Sequence, residues 1–171
     1  VTPVNDPPVL SIATSNIAYT EGDPGVSFLQ GVTIEDVDDV VMHGASLLIA
    51  NFIPSDGDDL SVTPVGGITS NLKSLGGNDY GLFLYGKANL ADYMQALSSI
   101  TFVNAGDDPT RENVARFMDV SVGDGSDASD AVGVAITITP VNDPPSFVAG
   151  PDQQVLGGAA SQHVPAWATQ L

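Results

Sequence analysis

Apolar and polar residues alternate along much of this chain. Val132, Val134, Ile136 and Ile138 are interleaved with Gly133, Ala135, Thr137 and Thr139, and Met118, Val120 and Val122 with Asp119 and Ser121. A period of two puts successive side chains on opposite faces of an extended segment, so both stretches predict half-buried strands. Between them Gly123-Asp124-Gly125-Ser126-Asp127 supplies residues that tolerate positive φ, which predicts a hairpin or near-hairpin. Further strands are predicted over 17–20, 26–34, 45–52, 60–65, 82–85 and 100–104, separated by Asp-Pro, Pro-Ser-Asp-Gly, Gly-Gly and Asp-Asp-Pro breaks. One segment departs from this period. Leu90, Tyr93, Met94, Leu97 and Ile100 follow helical spacing behind a candidate N-cap, Asn89, with Asp92 in the first turn. Many short strands with Gly/Pro/Asp turns and one short helical turn predict an all-β, antiparallel β-sandwich rather than a parallel α/β sheet.

A perfect internal repeat organises the chain. Thr2-Pro3-Val4-Asn5-Asp6-Pro7-Pro8 recurs letter for letter from Thr139 to Pro145, a period of 137 residues. The paired prolines fix φ, remove two backbone donors and hold the preceding Asp extended, so each copy reads as a stiff junction. This gives a junction at 1–8, a repeat at 9–145 that ends in the second junction, and at 146–171 the truncated start of a next repeat or an inter-subunit strand. With Gly157-Gly158-Ala159-Ala160 at its centre and no partner strands expected, that last segment cannot bury Phe147, Val155, Val164 and Trp167 by itself. It is expected to pair with another copy if it pairs at all.

Charge narrows the partners. Against 4 Lys+Arg stand 21 Asp+Glu, a formal −17 at pH 7, which disfavours nucleic acid and anionic membranes. Nearly all the acids are Asp, a turn-former and a hard oxygen donor for Ca²⁺. Cysteine is absent, which excludes disulfides, thiolate metal sites and cysteine nucleophiles. No apolar run approaches the roughly 18–20 residues of a membrane span, so direct membrane insertion is not expected. Glu35, Asp36, Asp38 and Asp39 lie close together with no basic residue nearer in sequence than Lys73, and alternate acids on an extended segment can share one cation.

Three stretches carry a family resemblance: the segment from Leu84 to Asn104 that contains Leu-Ala-Asp-Tyr and Leu-Ser-Ser-Ile-Thr-Phe, then Val120-Ser-Val-Gly-Asp-Gly, then the Val-Asn-Asp-Pro-Pro junction. Together they resemble the cadherin-like tandem repeats of large bacterial surface and RTX-type adhesins, related to chondroitin-sulfate-proteoglycan-type repeats. The resemblance implies a Greek-key sandwich of cadherin/immunoglobulin type, tied end to end to neighbouring repeats of the same polypeptide by Ca²⁺, and an extracellular or cell-surface setting. On that pattern Asn142 and Asp143 match the junction ligands, Asn5 and Asp6 their first copy, Glu21 the early acid, and Asp36 and Asp38 the paired acids. Pro140 stands in place of the first junction acid. Glu21, Asn142 and Asp143 are expected to meet at one end, and Asn5 and Asp6 to approach Asp36 and Asp38 at the other.

Other constellations weigh less. Leu75 to Gly81 resembles a single defective Gly-Gly-x-Gly-x-Asp unit and reads better as a Gly-rich loop, while Asp56 to Asp59 and Asp124 to Asp127 lack the twelfth-position Glu of an EF-hand loop. The only histidines are His43 and His163, and neither Gly-x-Ser-x-Gly nor His-Glu-x-x-His occurs, so no enzyme activity is expected. The predicted function is a calcium-binding spacer or adhesion repeat. The alternatives are a carbohydrate- or protein-recognition module, marked by exposed aromatics on one face, and a self-assembling fibre subunit.

Overall fold

The segments of clearest alternation form the centre of a long sheet. In a computed structural model, whose described residues are 4–145, 148–150, 152, 154, 156–158, 160, 161, 163, 168 and 169, those residues form thirteen strands, one α-helix and a single 3-10 turn at Pro54–Asp56. In order these are β1 (Val9–Ser11), β2 (Asn16–Thr20), β3 (Val26–Ser27), β4 (Thr33–Glu35), β5 (Val41–Ala50), β6 (Asp58–Ser61), β7 (Thr69–Gly76), β8 (Asp79–Asn89), α1 (Leu90–Ser98), β9 (Thr101–Asn104), β10 (Ala115–Gly123), β11 (Val132–Thr139), β12 (Val148–Ala149) and β13 (Ala168–Thr169). The chain divides into two units, Val1–Val141 and Asn142–Leu171.

The first unit is a β-sandwich. Its six-stranded sheet has the order β2-β11-β10-β5-β8-β7, and β3-β9-β6 and β1-β4 form smaller sheets. Alternation does what it predicts: Met42, Leu47 and Ile49 of β5, Leu82 and Leu84 of β8, Met118, Val120 and Val122 of β10, and Val134, Ile136 and Ile138 of β11 all enter one buried core. Phe28, Leu29, Ile34, Leu97, Ile100 and Phe102 complete that core from the other elements. Burying each such side chain is worth about 1.5–3 kcal/mol, so this face, rather than strand propensity, holds the sheet.

The helix forms where its spacing places it. Asn89 is its N-cap, the Asn89 Oδ1 accepting from the Asp92 amide at 2.8 Å, and Tyr93, Ala96 and Leu97 face the core. Tyr93 keeps its hydroxyl satisfied by donating to the Gly86 carbonyl at 2.6 Å, and burial pushes its phenol pKa up.

Three expectations need correction. The single strand expected over 26–34 is two short ones in different sheets, because Phe28 and Leu29 are consecutive and both buried, which a straight strand does not allow, and Gly31 turns the chain at φ 63°. Residues 69–76, outside the predicted strands, form the edge strand β7. The Gly-rich stretch after it is the β7–β8 turn, with Gly76 and Gly77 both at positive φ. The third concerns 146–171, which does contain a pairing of its own: Val148–Ala149 lies antiparallel to Ala168–Thr169. Phe147, Val155, Val164 and Trp167 are outside the described residues.

All pairs in the long sheet are antiparallel except one. β2 runs parallel to β11, from Asn16 opposite Ala135 to Thr20 opposite Thr139. Both strands therefore finish at the same end, which brings the residue after each together.

Beneath that end lies a buried ion pair. Arg116 takes an inward position on β10, on the same face as Met118 and Val120, and its side chain and that of Asp58 are both fully buried. The guanidinium spends its donors on both Asp58 oxygens and on the carbonyls of Pro109 (3.0 Å) and Asn113 (2.8 Å), while Asp58 also accepts from the Ile53 amide and the Asn104 side chain, each at 2.7 Å. With the remaining valences satisfied, a charge pair out of water is tolerable; with one partner removed it is not.

Candidate metal-binding poles

The register of one small ladder builds the first pole. β1 and β4 pair with Val9 opposite Glu35, and continuing that register by three residues sets Asp6 opposite Asp38. The Asp6 amide donates to Asp38 Oδ2 at 2.8 Å. Asp36 in turn caps its own loop, Oδ1 accepting from the amides of Asp38 (2.9 Å) and Asp39 (2.8 Å), whereas its Oδ2 is buried without a hydrogen-bond partner among the described residues. An acceptor left in that state is costly unless something outside the protein satisfies it.

The Asn5 amide nitrogen, next to Asp6 in the chain, lies between two carboxylates of the β10–β11 loop, 3.1 Å from Asp124 Oδ2 and 3.0 Å from Asp127 Oδ2. The loop is a tight turn: Asp124 Oδ1 accepts from the amides of Ser126 (2.6 Å) and Asp127 (2.8 Å), and Gly125 adopts φ 103°. A Cβ on Gly125 would stand 2.4 Å from His43 Nδ1, so glycine is required for the turn to close over that ring. Hydrogen bonds from the Asp127 and Ser126 amides and from Asn5, with the nearby His43, hold the Asp124 carboxyl below the usual range despite its burial.

The second pole follows from the parallel pair. Since β2 and β11 end together, the Glu21 amide donates to the Thr139 carbonyl at 3.0 Å, and Glu21 Oε2 accepts from the Val141 amide at 2.7 Å. Tyr19 ties a further loop to this end. Its hydroxyl lies 2.9 Å from the Asp23 carbonyl and 3.1 Å from both the amide and the carbonyl of Asn104. The chain leaving Asn104 then carries Asp107 to within 4.8 Å of Glu21, oxygen to oxygen. Asn142 and Asp143 belong to the second unit, where Asn142 Nδ2 donates to the Asp143 carbonyl at 3.1 Å.

In the sequence Asp124 to Asp127 reads chiefly as a turn, with a place near an ion at the sandwich end as its second reading, and Asp107 as punctuation before Pro109. The available signal was their position at strand ends, but which end each loop occupies depends on the sheet order. β11 spans eight residues, roughly 26 Å at 3.3 Å per residue, so the Asp124 and Glu21 groups stand at opposite ends of the long sheet.

In chemistry the first pole suits a hard divalent cation, since its acidic side chains offer carboxylate oxygens and no sulfur ligand. Asp124 and Asp127 converge on a single amide nitrogen, a place where positive charge is already stabilised. Rotating the Asn5 amide by half a turn exchanges its nitrogen for its oxygen and converts that point into a third oxygen donor. Among the described residues, no three carboxylates of this pole bring an oxygen within 4.8 Å of one another, so the amide oxygen or a backbone carbonyl has to complete the set.

No family model and no curated protein matches the chain. Among solved structures it is similar to a cohesin module from a family 33 glycoside hydrolase of Clostridium perfringens ATCC13124, at 7% identity and a TM-score of 0.41, over 80% of this chain and 98% of that one.

Proposed function

We propose that this chain is a calcium-binding β-sandwich repeat of a larger extracellular surface protein, acting as a rigidified spacer or adhesion module. The observation that carries the proposal is the capture of the junction. Asn5 and Asp6, the two polar residues of the Val-Asn-Asp-Pro-Pro motif, are held by acids from two separate loops, 36–39 and 124–127. Ca²⁺ is assigned to that pole, with Asn5, Asp36, Asp38, Asp124 and Asp127 as its oxygen donors. Glu21 and Asp107 supply acids at the other end. Asn142 and Asp143, the second copy of Asn5 and Asp6, carry the same roles toward the repeat that follows. A cation at each junction neutralises carboxylates that otherwise repel and turns a proline-stiffened linker into a fixed connection between sandwiches. The resemblance to cadherin-like adhesin repeats and the net charge of −17 support this reading. The cell-surface location and the absence of catalysis belong to it.

Calorimetry and thermal melting test it. Ca²⁺ at a hundredfold excess over its Kd is expected to add about 2.7 kcal/mol, which for a domain of this size raises Tm by roughly 5–10 °C. Equal Tm in EDTA and in excess Ca²⁺ would sink the proposal, as would an equal effect of Mg²⁺.

A further inference from the structure

We propose that the outer face of the six-stranded sheet docks a protein segment carrying an aliphatic side chain flanked by lysine or arginine. This goes beyond the calcium reading and does not depend on it.

On this face β5 and β8 place two small residues beside larger ones, with Ala50 opposite Phe117, Gly81 opposite Leu48, and Leu48 in turn opposite Asp119. Among these stand large apolar groups in water: Leu48 is 47% exposed, Leu75 49% and Phe117 53%. Further along, Phe83 and Tyr85 stack with ring centroids 6.3 Å apart. Gly81 is what flattens the surface, since a Cβ there would stand 2.5 Å from Phe83 Cε2 and 3.5 Å from Leu75 Cδ1. The missing side chain lets Phe83 lie across its strand and Leu75 close the hairpin end.

The result is a shallow pit of about 290 Å³, walled by Leu48, Leu75, Tyr80 and Phe117 with Asp79 and Asp119 beside it. Neither carboxylate has a hydrogen-bonding or ionic partner among the described residues, and Lys73, opposite Gly81 on the edge strand, pairs with neither. An apolar patch of this kind marks an interaction surface, and burying it drives association. The flanking carboxylates choose the occupant: they complement positive charge placed on either side of an apolar residue. A second copy is a poor occupant, because two chains at −17 repel. Of a copy's four cations, Arg116 is buried against Asp58 and Arg111 is engaged by Asp56.

The test uses the ¹⁵N-labelled full chain in Ca²⁺, titrated with the blocked peptide Gly-Lys-Leu-Arg-Gly and with its acidic counterpart Gly-Glu-Leu-Glu-Gly. The basic peptide is expected to shift the amides of Leu48, Leu75, Phe117 and Asp119 saturably, and the acidic one to leave them in place. Asp119→Asn and Asp79→Asn should each weaken binding roughly fivefold at low salt, with the difference shrinking at high salt. Phe117→Ser should weaken it further while, being an outward substitution, leaving Tm unaltered. The proposal is overturned by an unperturbed face, by equal binding of both peptides, by selective shifts with cellohexaose instead, or by self-association through this face in sedimentation. Repeating the titration in EDTA separates the two ideas, since binding that persists without any calcium effect on Tm removes only the calcium reading.

Discussion

At the scale of single residues the chain shows two contrasting uses of aspartate. Asp58 is a structural anion, locked to Arg116 in the interior, and its removal strands a buried guanidinium. Asp58→Ala is therefore expected to cost about 3–5 kcal/mol by chemical denaturation, far more than loss of an exposed acid, while replacing both partners by apolar residues should recover much of that loss. Asp124 is poised differently, since backbone amides and Asn5 stabilise its ionised form. With its folded pKa below the ordinary 3.8, its contribution is fully present above pH 3.8 and is lost as pH falls through the folded value. Thermal melts across the acid range are expected to show that loss in the native chain and a flatter limb in Asp124→Asn. Neither role was readable in advance. Both depend on partners far along the chain, 58 residues away for Asp58 and 119 for the Asn5–Asp124 contact.

Elements differ in how strongly local sequence specifies them. The helix α1 was legible because its cap, first-turn acid and apolar spacing all lie within the segment. Asn89→Ala should remove the bond to the Asp92 amide and cost about 1 kcal/mol, measured by urea denaturation. β10 and β11 were legible for a similar reason, since burial of one face writes a period of two into the residues themselves. β7 was not. All eight of its residues are exposed, so no alternation is imposed on Thr69–Gly76, and only its ladder to β8 makes it a strand. The 26–34 stretch failed in the opposite sense, because apolar composition marks burial without saying whether the chain runs straight through the core or bends within it.

For the whole molecule the consequence is a division of labour between the ends and the middle. The core belongs to the first unit, and the segment from Asn142 onward forms its own small unit. Deleting 146–171 is thus expected to leave the Tm of the sandwich within about 2 °C of the full chain, as read by calorimetry. A large drop would mean that the tail helps hold the sandwich. Calcium, if it acts at the poles, should raise that same Tm in both forms.

The sequence alone determined the class of fold, the helix and its cap, the central hairpin and the bracketing repeat, because each is written in periodicity or identity within a short window. It also marked acids suited to a hard cation. Which acids share an end was decided only by tertiary structure. The β1–β4 register set Asp6 against Asp38, the sheet order carried Asp124 and Asp127 to Asn5, and the parallel run of β2 beside β11 set Glu21 against the Val141 amide. The apolar pit at Leu48 and Phe117 has the same origin. Outward residues on different strands become neighbours only through pairing, and a local window carries no record of which strand will lie alongside.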